Sequence, residues 1–320
     1  MTTRALVTGG NGFVAQWVVR AMLERGWQVF AAGIGDLPAT AVLTPDERSA
    51  VQWRTMDVSK QEEVGAVVSE ARADFVVHLA AVSHVPDARR DPGRAFDVNA
   101  VGTVRLLAEI GRTRQAGTGD PVVLVVGSAE QYGRHEASEM PLREDAEQRP
   151  LTLYASSKAA QEVAALQVFR SEGVRVICTR SFNHSGAGHD PRFLLPSLVA
   201  RALALPRAGG TLVIGNGGTV RDFLHVRDVA KAYLALVDRA PAGEVYNVSS
   251  GDGIDVRALA GAVLRRVGVT ADVSPDPALS RPVDVPVLVG SNAKLRRATG
   301  WAPALTRDDI IDDLIHAATR

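Results

Sequence analysis

The sequence predicts an α/β fold, a doubly wound parallel sheet followed by a smaller C-terminal α/β lobe. Three observations carry this. Short apolar runs alternate with amphipathic stretches through the first half of the chain. A glycine-rich turn, Gly9-Gly10-Asn11-Gly12, separates the first apolar run from the first amphipathic one. After about residue 180 prolines and glycines become denser and the elements shorten.

Residues 4–8 read as a buried strand and 13–25 as a helix. Further strands fall at 28–32, 51–54, 75–79 and 122–126, with helices at 61–71 and 94–112 between them. A helix at 154–170 and a strand at 174–179 follow. Such alternation gives parallel strands with helices on both faces. Beyond it come a helix near 194–203, a strand at 211–214 and a helix at 226–237. A strand at 245–248 is placed to return to the main sheet, and helices near 256–266 and 307–318 end the pattern. The expected division is residues 1–180, with a returning segment near 220–250, for a nucleotide, and 181–320 mainly for a substrate. The smaller lobe belongs over the carboxyl edge of the sheet, where open α/β sheets bind ligands.

The 36 Lys and Arg balance the 36 Asp and Glu of this 320-residue chain. That gives no electrostatic case for nucleic acid or an anionic membrane. The single cysteine, Cys178, excludes an internal disulfide and a multi-cysteine metal site, and no metal is expected. It lies in the apolar run 174–178 and reads as packing. No apolar stretch reaches the ~20 residues of a membrane span. The first strand starts too early for a signal peptide, so a cytoplasmic protein is expected.

Gly9, Gly12 and Ala15 are spaced G-x-x-G-x-x-A between strand and helix. Gly9 permits the tight turn, Gly12 lets phosphates approach the backbone, and Ala15 lets the helix pack closely. Phe13 and Val14 open the helix beside that dinucleotide cradle. The end of the second strand, where an acid marks NAD and an arginine NADP, reads Ala32-Gly33-Ile34-Gly35-Asp36. Asp36 suits the ribose and a turn equally, so NAD or NADP stays open. Asp57, before Val58, suits the adenine amino group and a helix cap equally. Leu79, Ala80 and Ala81 end the fourth strand with small residues that let backbone and cofactor run close, and His78 before them reads as a packed strand histidine.

Tyr154 and Lys158 stand four apart and share one helix face. An ammonium there is expected to stabilise the phenolate, so that a tyrosine ordinarily titrating near ~10 exchanges its proton near neutrality. Ser128, at the carboxyl end of the fifth strand, is expected to hold a substrate oxygen beside Tyr154. Together with the cradle, these residues point to hydride exchange coupled to proton exchange at an alcohol or carbonyl.

At these residues the chain resembles the extended short-chain dehydrogenases that remodel nucleotide sugars. The matching segments are Thr8-Gly9-Gly10-x-Gly12-Phe13, His78-Leu79-Ala80-Ala81, Asn99-x-x-Gly102-Thr103, residues 128–133, and Tyr154 with Lys158. Further matches are Arg180-Ser181-Phe182-Asn183-His184, Arg221-Asp222-Phe223, Arg281-Pro282-Val283-Asp284-Val285-Pro286 and Gly300-Trp301-x-Pro303. Within that group the chain is most similar to GDP-4-keto-6-deoxymannose reductases and GDP-mannose 4,6-dehydratases. The resemblance implies a Rossmann-type fold and a bound NAD or NADP, with Asn99 among the cofactor residues. It implies a nucleotide-sugar substrate touched by Ser83, Asn183, Arg221 and Arg281. It also implies a homodimer built on helices 94–112 and 154–170. The best-matched reaction is reduction at C4 of a GDP-4-keto-6-deoxyhexose. The alternatives are a 4,6-dehydratase using Glu130 as base and a C4 epimerase. Glu130 stands where such dehydratases carry theirs, whereas Ala129 lacks the proton donor expected before it. A non-enzymatic dinucleotide sensor is disfavoured because Tyr154 and Lys158 are both present.

Overall fold

The computed structural model describes residues 2–279 and 284–319. The chain runs β1 (Arg4–Thr8), α1 (Phe13–Leu23), β2 (Gln28–Gly33), α2 (Pro45–Ser49), β3 (Gln52–Thr55), α3 (Gln61–Ala71) and β4 (Phe75–His78). It continues with α4 (Val85–Arg90), α5 (Pro92–Phe96), α6 (Gly102–Gln115), β5 (Val122–Ser128), α7 (Leu153–Glu172), β6 (Val176–Ser181) and β7 (Asn183–Ser185). Then follow α8 (Leu194–Leu203), β8 (Ala208–Ile214), β9 (Val220–His225), α9 (Val226–Arg239), β10 (Val245–Val248) and β11 (Gly253–Asp255). The last elements are α10 (Val256–Val267), β12 (Thr270–Pro275), β13 (Val287–Leu288), α11 (Ala293–Thr299) and α12 (Arg307–Ala318).

Seven parallel strands form the main sheet in the order β10-β6-β5-β4-β1-β2-β3. Their period of two divides the core. Ala5, Val7, Val29, Val77 and Ile177 face α1 and α9, while Leu6, Phe30, Val76, Val123 and Cys178 face α3, α6 and α7. Both faces are covered, which is why the inner strands β1, β2, β4 and β5 read as largely apolar runs, while the edge strand β3, Gln52–Thr55, does not. Burial pushes the Cys178 thiol well above its ordinary value. A third core joins α8, α10 and α12 to Leu212, Ile214 and Phe223. Around it lie a small sheet of β11-β9-β13, with β7 against β9, and the pair β12-β8.

The expected helix at 94–112 is broken. α5 starts at Pro92 under an Asp91 cap, a π-helical turn spans Asp97–Val101, and α6 begins at Gly102. The strand expected at 174–179 runs from Val176 to Ser181. Strand order reverses at β1, which lies between β2 and β4, so a crevice opens at its carboxyl end. Among the described residues no helix is long and apolar enough to cross a membrane.

Candidate active site

A cavity of about 640 Å³ lies over the carboxyl ends of β1, β2, β4, β5 and β6. Its floor is the glycine turn. Gly9 has φ 67°, and a Cβ there would stand 2.8 Å from the backbone of Ala80. Only glycine lets the turn pass this close to the end of β4. The Gly12 amide donates to the Gly9 carbonyl at 2.8 Å, and Gly12 caps α1 without a side chain. Phe13 and Val14 line the cavity, and their amides have no acceptor among the described residues.

Asp57, Val58, Leu79, Ala80, Ala81 and Ser83 also line the cavity. The Asp57 carboxylate accepts from the amide and hydroxyl of Ser59, which hold its pKa below the ordinary value. Two of the expected cofactor residues do not line the cavity. Asp36 is exposed and does not line the cavity; its carbonyl accepts from the Asn11 side chain. Asn99 is fully buried behind the wall. It pairs with the amide and carbonyl of Val82 and donates to Ser157 Oγ. The π-helical turn points this carboxamide at the loop after β4, away from the ligand space.

His78 is buried between Thr8 and Thr103. The Thr103 hydroxyl donates to the Asn99 carbonyl, so His78 donates to it through Nε2 and accepts from Thr8 at Nδ1. Burial depresses its pKa to about 3 and keeps the ring neutral.

Ser128 ends β5, and its Oγ caps the turn that carries Glu130. Thr152 caps α7, whose first turn presents Tyr154. Ser128, Glu130, Tyr154 and Lys158 all line the same cavity. Lys158 Nζ donates to the Val126 carbonyl and to Gln161 Oε1, both at 2.8 Å. The expected tuning of the phenol is not found. Burial raises the Tyr154 pKa to about 12; the Ser128 hydrogen bond opposes this and the Glu130 charge adds to it. Burial also lowers Lys158 to about 7. The ammonium is tied to a β5 carbonyl and to its own helix, so it does not offset the desolvation of the phenol.

Asn183 and Arg221 line the far part of the cavity. Arg221 pairs with Asp284 at 2.6 Å. Arg281 lies outside the described residues. Several lining residues carry no role in the sequence reading: Asn11, Arg94, His189 and Phe193. His189 stacks on Phe13 at 4.3 Å and on Phe193 at 4.6 Å, and burial lowers its pKa to about 3. Asn11 had a local signal, since it sits inside the glycine turn. His189 had none, because its partner on α1 is remote in sequence.

The family model for GDP-mannose 4,6 dehydratase matches residues 6–314. A GDP-6-deoxy-D-mannose reductase from Pseudomonas aeruginosa is 34% identical over 96% of this chain and 94% of its own length. A GDP-6-deoxy-D-talose 4-dehydrogenase from Aggregatibacter actinomycetemcomitans is 29% identical over 93% of this chain and 91% of its own. The solved structure of RMD from Pseudomonas aeruginosa complexed with NADPH superposes with a TM-score of 0.80 at 29% identity, covering 99% of both chains. A Thermus thermophilus UDP-glucose 4-epimerase complex with NAD gives a TM-score of 0.86 at 29% identity, again over 99% of both chains. With nearly its whole length matched, the chain belongs to the GDP-mannose 4,6 dehydratase family.

Proposed function

We propose that the protein reduces the C4 ketone of a GDP-linked 4-keto-6-deoxyhexose, using NADH or NADPH. Tyr154 carries this reading: its phenol stays protonated at neutral pH beside Ser128, in the cavity that the glycine turn also lines. Ketone reduction needs a positioned proton donor, and the protonated phenol beside Ser128 can supply that proton. The similarity to a GDP-6-deoxy-D-mannose reductase along nearly the whole chain supports the same direction.

The cleft fits a nicotinamide dinucleotide. The unpaired amides of Phe13 and Val14 suit a diphosphate at a helix N-terminus, and the cradle has no room for a Cβ at Gly9. When bound, the nicotinamide supplies a hydride to C4. Tyr154 gives its proton to the C4 oxygen, which Ser128 holds, and the ketone becomes an alcohol. Lys158 has one N–H left after its two protein acceptors and would give it to the ribose of the cofactor. Ser83, Asn183 and Arg221 hold the sugar nucleotide. The cofactor occupies residues 1–180 with the returning segment near 220–250, and the sugar nucleotide mainly 181–320. The protein acts as a cytoplasmic homodimer; exposed Val104 on α6 and Val163 on α7 support that assembly.

Glu130 favours a second reading, a 4,6-dehydratase, because its carboxylate lines the cavity next to Tyr154. One experiment separates the two. Incubating the protein with GDP-4-keto-6-deoxymannose and reduced cofactor consumes reductant if it is a reductase. Accumulation of a 4-keto product from GDP-mannose without added reductant sinks the reductase assignment.

A further inference from the structure

We infer that Asn11 makes this cleft select a dinucleotide with a free adenosine 2′-hydroxyl, NAD(H), over its 2′-phosphorylated counterpart. The inference rests on the proposed nicotinamide cofactor and adds which one the protein takes.

The discriminating place in such folds is the end of β2, here Gly33. That position has no side chain, and its side-chain space is filled from elsewhere. A Cβ on Gly33 would stand 2.7 Å from Asn11 Oδ1. The Asn11 carboxamide thus occupies the space where an acid or an arginine on β2 would project. Its orientation is fixed by its partners. Nδ2 donates to the carbonyls of Ile34, at 2.5 Å, and Asp36, at 3.4 Å. Two carbonyls accept only from N–H, so Nδ2 and Oδ1 cannot be exchanged. Both donors are committed to the backbone. Oδ1 has no donor among the described residues, and Asn11 lines the cavity.

An uncommitted acceptor suits a hydroxyl, which donates. It repels a phosphate dianion, which only accepts. The charges nearby act the same way. The cations lining the cavity, among the described residues, are Arg94, Lys158 and Arg221. Lys158 lies below Tyr154, Arg221 pairs with Asp284, and Arg94 stands by the Asp57 carboxylate. Arg20 and Arg48, close to the loop after β2, are bound to Glu47 and to the Leu43 carbonyl and do not line the cavity.

The test is direct binding, read by the fluorescence of the reduced nicotinamide during titration of the full-length protein. NADH is expected to bind at least about 10-fold tighter than NADPH, the worth of one good hydrogen bond. Asn11→Ala should weaken NADH alone and bring the two constants together. Ile34 lines the cavity and is half exposed, so Ile34→Arg adds a guanidinium there while keeping the Asn11 side chain and the Ile34 carbonyl that accepts from it. It should tighten NADPH by about 10-fold and leave NADH nearly unchanged. Tighter NADPH binding by the wild type overturns the inference, as does equal weakening of both ligands by Asn11→Ala. Tight NADPH binding that is lost in Arg94→Ala would assign the 2′-phosphate to Arg94 instead. Failure of both dinucleotides to bind would overturn the cofactor reading itself.

Discussion

Tyr154 and Lys158 stand one helical turn apart, and burial acts on them in opposite senses. It keeps the phenol protonated and weakens the hold of the ammonium on its proton. Tyr154→Phe removes the acid and is expected to lower kcat for ketone reduction by more than ~100-fold, measured by reductant consumption. Near-wild-type turnover would exclude the mechanism. Lys158 sets the pH dependence. Below about 7 it carries its proton; above that value the proton is lost, and a hydrogen bond from it to the proposed cofactor's ribose would weaken with it. Hence kcat/KM for reduction should be flat on the acid side and fall as pH rises through about 7. The phenol, near 12, adds no second inflection in the working range. Lys158→Arg keeps a charge at all accessible pH, so its profile should lose the fall even where its rate is lower. Glu130→Gln should leave reduction within ~10-fold of wild type, because that step needs no carboxylate base. Complete loss of reduction in that variant would contradict the assignment.

At the next scale, α7 is an organising element. Tyr154, Lys158 and Glu162 repeat every four residues on its inner face. Glu162 forms a buried two-pronged pair with Arg180 of β6, at 2.7 and 2.9 Å, and also accepts from Gln131 and Gln148. Gln131 in turn accepts from the Ser128 amide, so the ion pair braces the turn carrying Ser128 and Glu130. Glu162→Ala leaves a buried guanidinium uncompensated and should cost about 3–5 kcal/mol in urea denaturation. Removing both charges with Glu162→Leu and Arg180→Met should recover most of that loss. If the double variant were no more stable than the single one, the cost would not come from the unpaired charge. This level also separates what the sequence discloses from what it conceals. The inner strands β1, β2, β4 and β5 are legible because they are largely apolar and covered on both faces, whereas the edge strand β3, Gln52–Thr55, is not an apolar run. The glycine turn and the Tyr–Lys spacing are legible because their meaning is local. The break at Asp97–Val101 is not, because it follows from Asn99 reaching Val82, and that contact exists only after folding. β7, β11 and β13, each of three residues or fewer, are too short to show a period. The partners of Lys158 were hidden for a similar reason: one of them is a carbonyl on another strand.

For the molecule as a whole, the large apolar side chains left exposed are unevenly placed. Val101, Val104, Leu151, Leu153 and Val163 cluster on or beside α6 and α7, with Val163 62% exposed. Both helices bury their opposite faces against the main sheet. An apolar face of this kind on a globular protein marks a contact surface, and a symmetric pair of α6–α7 hairpins would bury it in four helices. Sedimentation of the wild type at micromolar concentration is therefore expected to give a dimer. Val104→Glu with Val163→Glu should give a monomer, because pairing would then bury unpaired carboxylates. Far-ultraviolet circular dichroism should stay native, since both positions are solvent-exposed in the subunit. The inner face of α7 presents Tyr154 and Lys158 while its outer face would be clamped, so dissociation should also loosen the catalytic turn. kcat is expected to fall more than affinity for the proposed dinucleotide, whose phosphates we assign to the glycine turn rather than to α7. A wild-type monomer, or a dimer unaffected by the two glutamates, would place the contact surface elsewhere.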